Sequence, residues 1–564
     1  MSPHLLARAA HLWPSLPVRK ILHLTEGEEC VVVGTLSKDL KLRPNVLETY
    51  ATDRRLQTAI FDARFSSPQD TLALEDEGAR MTIRGACVSP RALCTGVIVA
   101  LRGADCEGTF EVTDVIFPSV LDPPPLSHAP SVAVPRSPLP LPPAGPDPAR
   151  APLVLLVSGL GLSRPAAHLS AQLLADWVTG AVGGERDRAL ASRVVRIVIA
   201  GGLVARAASS DAMASTSSSS PPFPSSSTTN LSSRARPRHP HPEERVAATR
   251  SGASSSAFVT HLARAIEARD AERAQDAAGQ DDDDHDDDEG GGGGGGEGGT
   301  VMRNGERTTT TTRSNRTRGM TTTTTTTSRP PVFLDATTKV DEEEVVEDAV
   351  DRPYGRGVQN PVRPADVAAL RRADAWLTEL ASRVPVDVMP GPGDPTTSAL
   401  PQQPFHPCLL PGASGHESTR SGGEAGAPSR FVRATNPHEA KVHGVHLLGT
   451  SGQNVRDLWR CTEVDDPLAL ACATLAFGHV APTAPDTLPC YPYKSADPFV
   501  LDACPHVLFV GGQSAYDTAL VTGTEGRQTR VVLVPRFDRS GQVVLLDLES
   551  LDTYPMQFGT RLMD

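Results

Sequence analysis

Five stretches of this chain share one pattern, a short apolar run of the kind that forms a buried strand, ending abruptly in small residues. They are LVLLVSGLGL (153–162), SRVVRIVIAGGL (192–203), PVDVMPGPGDP (385–395), VHGVHLLGTSGQN (442–454) and CPHVLFVGGQS (504–514). Continuous apolar runs belong to strands covered on both faces. A strand entering a glycine bend and then a helix is where α/β proteins place phosphate or metal chemistry. Helical segments intervene, SAQLLADWVTG (170–180) and ADVAALRRADAWLTELASRV (365–384). The second sets Ala369, Leu370, Ala373, Trp376, Leu377 and Leu380 on one stripe. Apolar strands alternating with helices predict a layered α/β domain. The same reading closes the chain with a hairpin of TRVVLVPRF (529–537) and GQVVLLDLESL (541–551), turning at Arg539-Ser540-Gly541.

Upstream the pattern is all-β. ECVVVGTL (29–36), DTLALED (70–76), ARMTIRGAC (79–87), TGVIVALRG (95–103) and GTFEVTDVIF (108–117) read as five short strands, with a hairpin across Glu77-Gly78. Hairpin turns and a long first connection suit an OB-like barrel. Such barrels often bind single strands through aromatics and a basic groove, but these strands offer chiefly Phe110 and Phe117, which favours a packing or protein-docking module. MSPHLLARAAHLW reads as a short amphipathic helix before the barrel, and Pro123–Pro152 as a semi-rigid linker after it.

Between Arg206 and Asn360 the chain holds serine runs, DDDDHDDDE, a glycine tract and TTTTTTT. Too few apolar side chains stand there to offset the entropy of ordering, so the segment reads as a disordered surface insertion. It also distorts the charge. Of the net −13, fifteen acids lie in just two runs, Asp281–Glu289 and Asp341–Asp351, and the remainder of the chain is near +2. That balance lacks the basic surplus of a dedicated duplex binder. Nine cysteines without a C-x-x-C read as reduced thiols of an intracellular protein. No apolar run is long enough to span a bilayer, and no secretory signal opens the chain.

The glycine loops are the candidate site. Gly159-Leu160-Gly161 fails the dinucleotide fingerprint, because Arg164 stands at the third glycine position, and no Walker A motif occurs. The loops do fall where calcineurin-like phosphoesterases carry D-x-H, G-D, G-N-H-[DE], a lone His and G-H-x-H, the ligands of two cations about 4 Å apart. Ser158 and Leu160 replace the first Asp and His, and Gly201-Gly202 stands for Gly-Asp. Gly391-Pro392-Gly393-Asp394 keeps only its last acid, Ser451 replaces the lone His, and Gly512 and Ser514 replace the final pair. One surviving carboxylate cannot hold two divalent metals. The loops resemble a phosphoesterase site that has been emptied.

A barrel followed by such a domain resembles the B subunits of the replicative DNA polymerases. LPQQPFHPCLLP (400–411), TNPHEAKVHGVHLLGTSGQNV (435–455), HVAPTAPDTLPCYPYKSADPFV (479–500) and CPHVLFVGG (504–512) make the delta-type small subunits the most similar branch. The resemblance covers about 19–205 and 364–551. It implies an α/β phosphoesterase-like layered sandwich preceded by an all-β OB barrel, with a long disordered insertion. The corresponding layout is a helical segment (1–18), the barrel (19–121), a linker (122–152), the first part of the second domain (153–205), the insertion (206–362) and the second part (363–564). It further implies a nuclear, noncatalytic subunit with no cofactor and no metal. Such a subunit docks the cysteine-rich C-terminal module of a catalytic subunit, recruits a further accessory subunit through the barrel side, and meets DNA indirectly, through the complex.

Other residues are weaker candidates. His443 and His446, three apart on one strand, point to opposite faces and cannot share a cation. Cys504 and His506 share a face without a second ligand pair, which favours packing, and Asp394 suits a cap or turn better than a carboxylate pair with Asp387. In the proline-rich strip, Tyr491, Tyr493, Asp497 and Phe499 either pack on their own sheet or line a protein interface. Two alternatives to the scaffold remain. A divergent active metal-dependent phosphodiesterase predicts stoichiometric metal and activity lost on Asp394→Ala; a single-strand-binding OB protein predicts salt-dependent oligonucleotide binding, against which the near-neutral charge speaks.

Overall fold

The computed structural model describes residues 2–43, 64–118, 123–124, 151–204, 364–417, 429–494, 496–523 and 526–559, all within one compact unit. The expected disordered insertion and nearly all of the proline-rich linker lie outside the described residues.

The N-terminal strands are β1 (Val18–Arg19), β2 (Glu29–Asp39), β3 (Thr71–Glu75), β4 (Arg80–Arg84), β5 (Ile98–Cys106) and β6 (Thr109–Ile116). They pair in the order β1-β2-β3-β4-β6-β5, and β2 also pairs β5, which closes the sheet into a barrel. The β3–β4 hairpin forms across Glu77-Gly78 as expected. Asp76 fixes it by accepting the amides of Gly78 and Ala79 at 2.8 and 2.9 Å. Helix α1 (Ser2–Leu12) is the expected amphipathic one, and Leu5, Ala9 and Trp13 bury against Val31, Ala100 and Ile116 of the barrel.

The rest builds two facing sheets. One has the order β10-β9-β8-β7-β16-β17, from β7 (Leu153–Val157), β8 (Val194–Ala200), β9 (Val386–Met389), β10 (Phe431–Arg433), β16 (Gln542–Asp547) and β17 (Thr553–Gln557). The other runs β11-β12-β13-β15-β14, from β11 (His438–Val442), β12 (Val445–Thr450), β13 (Val507–Gln513), β14 (Asp517–Thr522) and β15 (Gln528–Pro535). Alternation along each strand explains the layering. Leu153, Leu155 and Val157 face outward under helices α2 (Pro165–Val178), α3 (Glu185–Ala191) and α4 (Pro364–Ala381). Val154 and Leu156 face inward onto Leu447, Phe509 and Val532 of the second sheet. The outer side of the second sheet is covered by α5 (Gln453–Cys461) and α6 (Pro467–Ala476), whose core is continuous with that of the barrel. The stripe expected on α4 faces the core, with Ala373, Leu377 and Leu380 fully enclosed, Ala369 and Trp376 buried and Leu370 half-buried.

Two expectations are corrected. The C-terminal hairpin does not form. β15 pairs β13 and β14, whereas β16 pairs β7 and β17 in the opposite sheet. Between them Phe537 is buried in a single helical turn, and Gly541 at φ +66° redirects the chain. Both strands are apolar on both faces, which an interior strand of either sheet satisfies equally well. Likewise 442–454 is no single strand, because His443 (φ +48°) and Gly444 (φ +85°) form the turn between β11 and β12. His443 therefore sits in a turn and His446 on β12, and the opposite-face argument does not apply to them.

His506 packs, as expected, and does so as a neutral imidazole. Its Nδ1 accepts the His446 amide at 2.8 Å and its Nε2 donates to the Pro124 carbonyl at 2.7 Å, while burial pushes its pKa below the ordinary value. The unfolded chain therefore binds this proton more readily than the folded one. Stability from His506 is present above its ordinary pKa of about 6.5 and declines as pH falls below it. Acid titration of the unfolding midpoint should accordingly be shallower below pH 6.5 in His506→Gln than in the parent chain; identical slopes would contradict the assignment.

Candidate functional site: the glycine loops

The C-terminal ends of β7, β8, β9, β12 and β13 meet at one end of the sandwich, where the loops close on each other backbone to backbone. A methyl added at Gly201 would lie 2.4 Å from the Ser451 Cβ and 2.8 Å from the Gly391 Cα; one at Gly202 would lie 2.8 Å from the Gly159 Cα. Positive φ at Gly159, Gly161, Gly201, Gly202, Gly393, Gly452 and Gly512 bends each loop sharply enough to allow this approach.

Several of the loop residues set against phosphoesterase ligands in the sequence hold ties between loops. Ser158 Oγ donates to the Ala200 carbonyl at 2.7 Å and accepts the Gly512 amide at 2.7 Å, so one hydroxyl joins three strand ends. Leu160 is fully buried in the core beneath the outer helices. Asp394 accepts the amides of Gly202, Gly391 and Val204 at 2.8, 2.9 and 3.0 Å, and that of Leu203 at 3.3 Å. Burial raises its pKa to about 6 against the pull of these four amides. Asp387 is elsewhere, on β9, held by Arg196 and by His438 at 3.2 Å. Ser514 is exposed beside Gln513.

Sequence reasoning missed the amides that complete the closure. Asn436 Nδ2 donates to Gln402 Oε1, Ser451 Oγ and Gln453 Oε1 at 2.8, 2.5 and 3.1 Å, and Ser451 Oγ reaches the Pro390 carbonyl at 3.0 Å. It also missed Asp538, packed against Gly161 of the first glycine loop, whose carboxylate takes Arg164 at 2.8 Å and both a 2.8 Å and a 3.1 Å bond from Arg536. No group of three or more His, Cys, Asp or Glu side chains placed to hold a metal occurs among the described residues. The donor set of hydroxyls, side-chain amides and one amide-saturated carboxylate does not fit a two-cation centre.

Comparison with known proteins places this geometry. Residues 1–115 match the family described as the DNA polymerase delta subunit OB-fold domain, and residues 337–518 match the family of DNA polymerase alpha/epsilon B subunits. The DNA polymerase delta small subunit of Oryza sativa is 29% identical over 97% of this chain and 87% of its own. That of Arabidopsis thaliana is 29% identical over 99% and 88%, and DNA polymerase delta subunit 2 of Drosophila melanogaster 27% over 96% and 86%. The chain belongs to the DNA polymerase delta small-subunit family. In this delta-type small subunit the closed barrel is the OB-fold domain, and the mixed α/β sandwich carries the alpha/epsilon-type match.

The proline-rich strip of this family member divides by burial. Phe499 is core, 2% exposed and 6.0 Å from the His479 ring, so it anchors the strip from inside. Asp497 accepts from His479 Nε2 at 3.0 Å and from the Phe499 amide at 2.9 Å. Tyr491 is half-buried, and Tyr493 is 48% exposed on a stretch whose described neighbours from Pro492 to Pro498 are all exposed. The structure thus brings Asp497 and Phe499 together around His479 and leaves Tyr493 turned outward.

Proposed function

We propose that this chain is the noncatalytic scaffold of a DNA polymerase delta complex. It docks the cysteine-rich C-terminal module of the catalytic subunit and, through the barrel side, a further accessory subunit; it reaches DNA through that complex and acts in the nucleus during replication and repair synthesis. The observation that carries the reading is the closure of the glycine loops. Where a phosphoesterase sandwich would hold two cations, serine, glycine and an amide-saturated aspartate tie strand ends together. The site positions Ser158, Leu160, Gly202, Gly393, Asp394, Ser451, Gly512 and Ser514 are then remnants of a phosphoesterase-like fold, and Ser158, Gly202, Asp394, Ser451 and Gly512 now serve its rigidity. Tyr493, with Tyr491 behind it and Asp497 fixing the strip, is the candidate interface.

Co-expression with the polymerase catalytic subunit tests this. The expected result is a complex that co-purifies through size exclusion and is weakened at least tenfold by Tyr493→Ala, an exposed change that leaves the unfolding midpoint unaltered. The purified chain should also hold no stoichiometric transition metal and should not cleave phosphodiesters with manganese. Activity that disappears in Asp394→Ala would overturn the reading.

A further inference from the structure

Half of the large apolar side chains that stand exposed among the described residues fall in one short stretch. Leu6, Leu12, Val18 and Leu22 are 38, 52, 49 and 67% exposed, against four others spread over the rest of the chain. Helix α1 accounts for the concentration. Its turn-spaced Leu5, Ala9 and Trp13 are spent on the barrel, and Leu6, Ala7 and Ala10 lie on the outward arc, all exposed. A helix apolar on more than one side is built for cover on more than one side. The barrel supplies only the first. The flank between the two arcs is cationic. Arg8 donates to the Phe117 carbonyl at 3.2 Å and meets no carboxylate among the described residues, and His11, its i+3 neighbour, is exposed. The first acid in the sequence is Glu26. Arg19 and Lys20 find Glu28 and Glu77, so the uncompensated charge of this stretch is on α1.

We propose that the outward face of α1 docks an amphipathic helix that carries carboxylates along one flank, and that this helix belongs to the further accessory subunit. The inference rests on the scaffold reading above and names the surface that the barrel side offers. A helix is the element that the side chains fit. Ala7 and Ala10 put little bulk between two axes, so a second helix can approach closely and pack on Leu6, with the exposed Leu12 extending the apolar surface at the helix end. The acidic flank follows from Arg8 and His11, and opposite charge in such a place sets orientation and register more than affinity. An anionic membrane would meet the same cations, but an arc of one leucine and two alanines gives it little apolar area to bury. Strand addition fits no better, because the edge strand β1 is two residues long.

The test co-expresses the full chain with the polymerase catalytic subunit and the further accessory subunit, and follows both through size exclusion. Leu6→Glu/Ala10→Glu sets two carboxylates against the acidic flank, at exposed positions and with a residue that keeps helix propensity. It is expected to reduce retention of the accessory subunit about tenfold or more, while the catalytic subunit and the unfolding midpoint stay at parent values. Arg8→Gln removes the charge and should weaken accessory binding about threefold and flatten its salt dependence. Ala10→Glu alone carries the test should the double variant lower the midpoint. Full retention of the accessory subunit by a variant with the parent midpoint would overturn the proposal. So would loss of both subunits together, or a parent chain that holds the catalytic subunit alone. Binding of the parent chain to phosphatidylserine-containing vesicles, abolished in the double variant, would assign the face to a membrane and overturn it too. A parent chain that fails to hold the catalytic subunit would count against the scaffold reading instead, and that result is read before any variant is made.

Discussion

Lys38→Ala is expected to destabilise the chain by about 3–5 kcal/mol, the cost of removing one partner from a buried ion pair. The side chains of Lys38, on barrel strand β2, and Asp70 are both 0% exposed, with Nζ 3.3 Å from the carboxylate. The other two ammonium protons go to Ser66 Oγ at 3.2 Å and to the Cys461 carbonyl at 2.7 Å. Cys461 ends α5, so the barrel contributes the cation at the C-terminus of a helix in the neighbouring sandwich. Burial lowers the Lys38 pKa and Asp70 opposes the shift, which fits a charge tolerated only because every donor is used. Alanine leaves the Asp70 carboxylate, among the described residues, with the Lys41 and Ser67 amides at 3.0 and 2.9 Å. Urea unfolding of Lys38→Ala and of Lys38→Met/Asp70→Asn separates charge from packing: the double variant should recover at least half of the loss. A single-variant loss below about 1 kcal/mol would sink the account, since that is the range of exposed pairs.

The same seam explains why barrel and sandwich form one body. Arg64 stacks 4.5 Å over Trp459 and pairs with Asp465, Arg460 stacks 4.0 Å over Phe65, and Arg91 pairs with Glu463 at 2.6 Å. Each pair joins residues several hundred positions apart, and nothing local in the sequence announces them. The local part is legible. Runs such as LVLLV and VVRIVIA can only be strands covered on both faces, and small residues at their ends can only be bends. Which sheet receives a strand is a nonlocal choice, so TRVVLVP and QVVLLD look like a hairpin although they sit in opposite sheets. Edge strands β10, β14 and β17 carry too little apolar pattern to stand out. At the glycine loops, the chemistry of each position can be read residue by residue, because a serine or glycine cannot bind a cation as Asp or His does. The hydrogen-bond network cannot, because Gln402, Asn436 and Gln453 look like ordinary polar residues until folding brings them together. Asp394 reads as a turn residue; its reach to four amides on two loops depends on how closely those loops approach.

That closeness sets the second large expectation, that ligands of the phosphoesterase type cannot be installed in these loops. Gly202→Asp, which recreates the Gly-Asp step, places a side chain at φ +73° with its Cβ 2.8 Å from the Gly159 Cα. The backbone strain costs about 1 kcal/mol and overpacking about 1–3 kcal/mol. The new carboxylate also lies next to Asp394, already buried and bonded to the Gly202 amide at 2.8 Å, so repulsion between like charges adds to both. The sum is on the order of 3 kcal/mol or more, read as a lowered urea midpoint and poor soluble yield. Leu160→His adds to the loss, because Leu160 is fully enclosed and an imidazole there would be buried among apolar side chains. A folded Ser158→Asp/Leu160→His/Gly202→Asp chain that bound manganese or zinc stoichiometrically would show that the loops still have room for a cation. The geometry predicts the opposite. The loops approach to backbone contact, and a side chain added at Gly201 or Gly202 would have to break that contact before it could reach a cation.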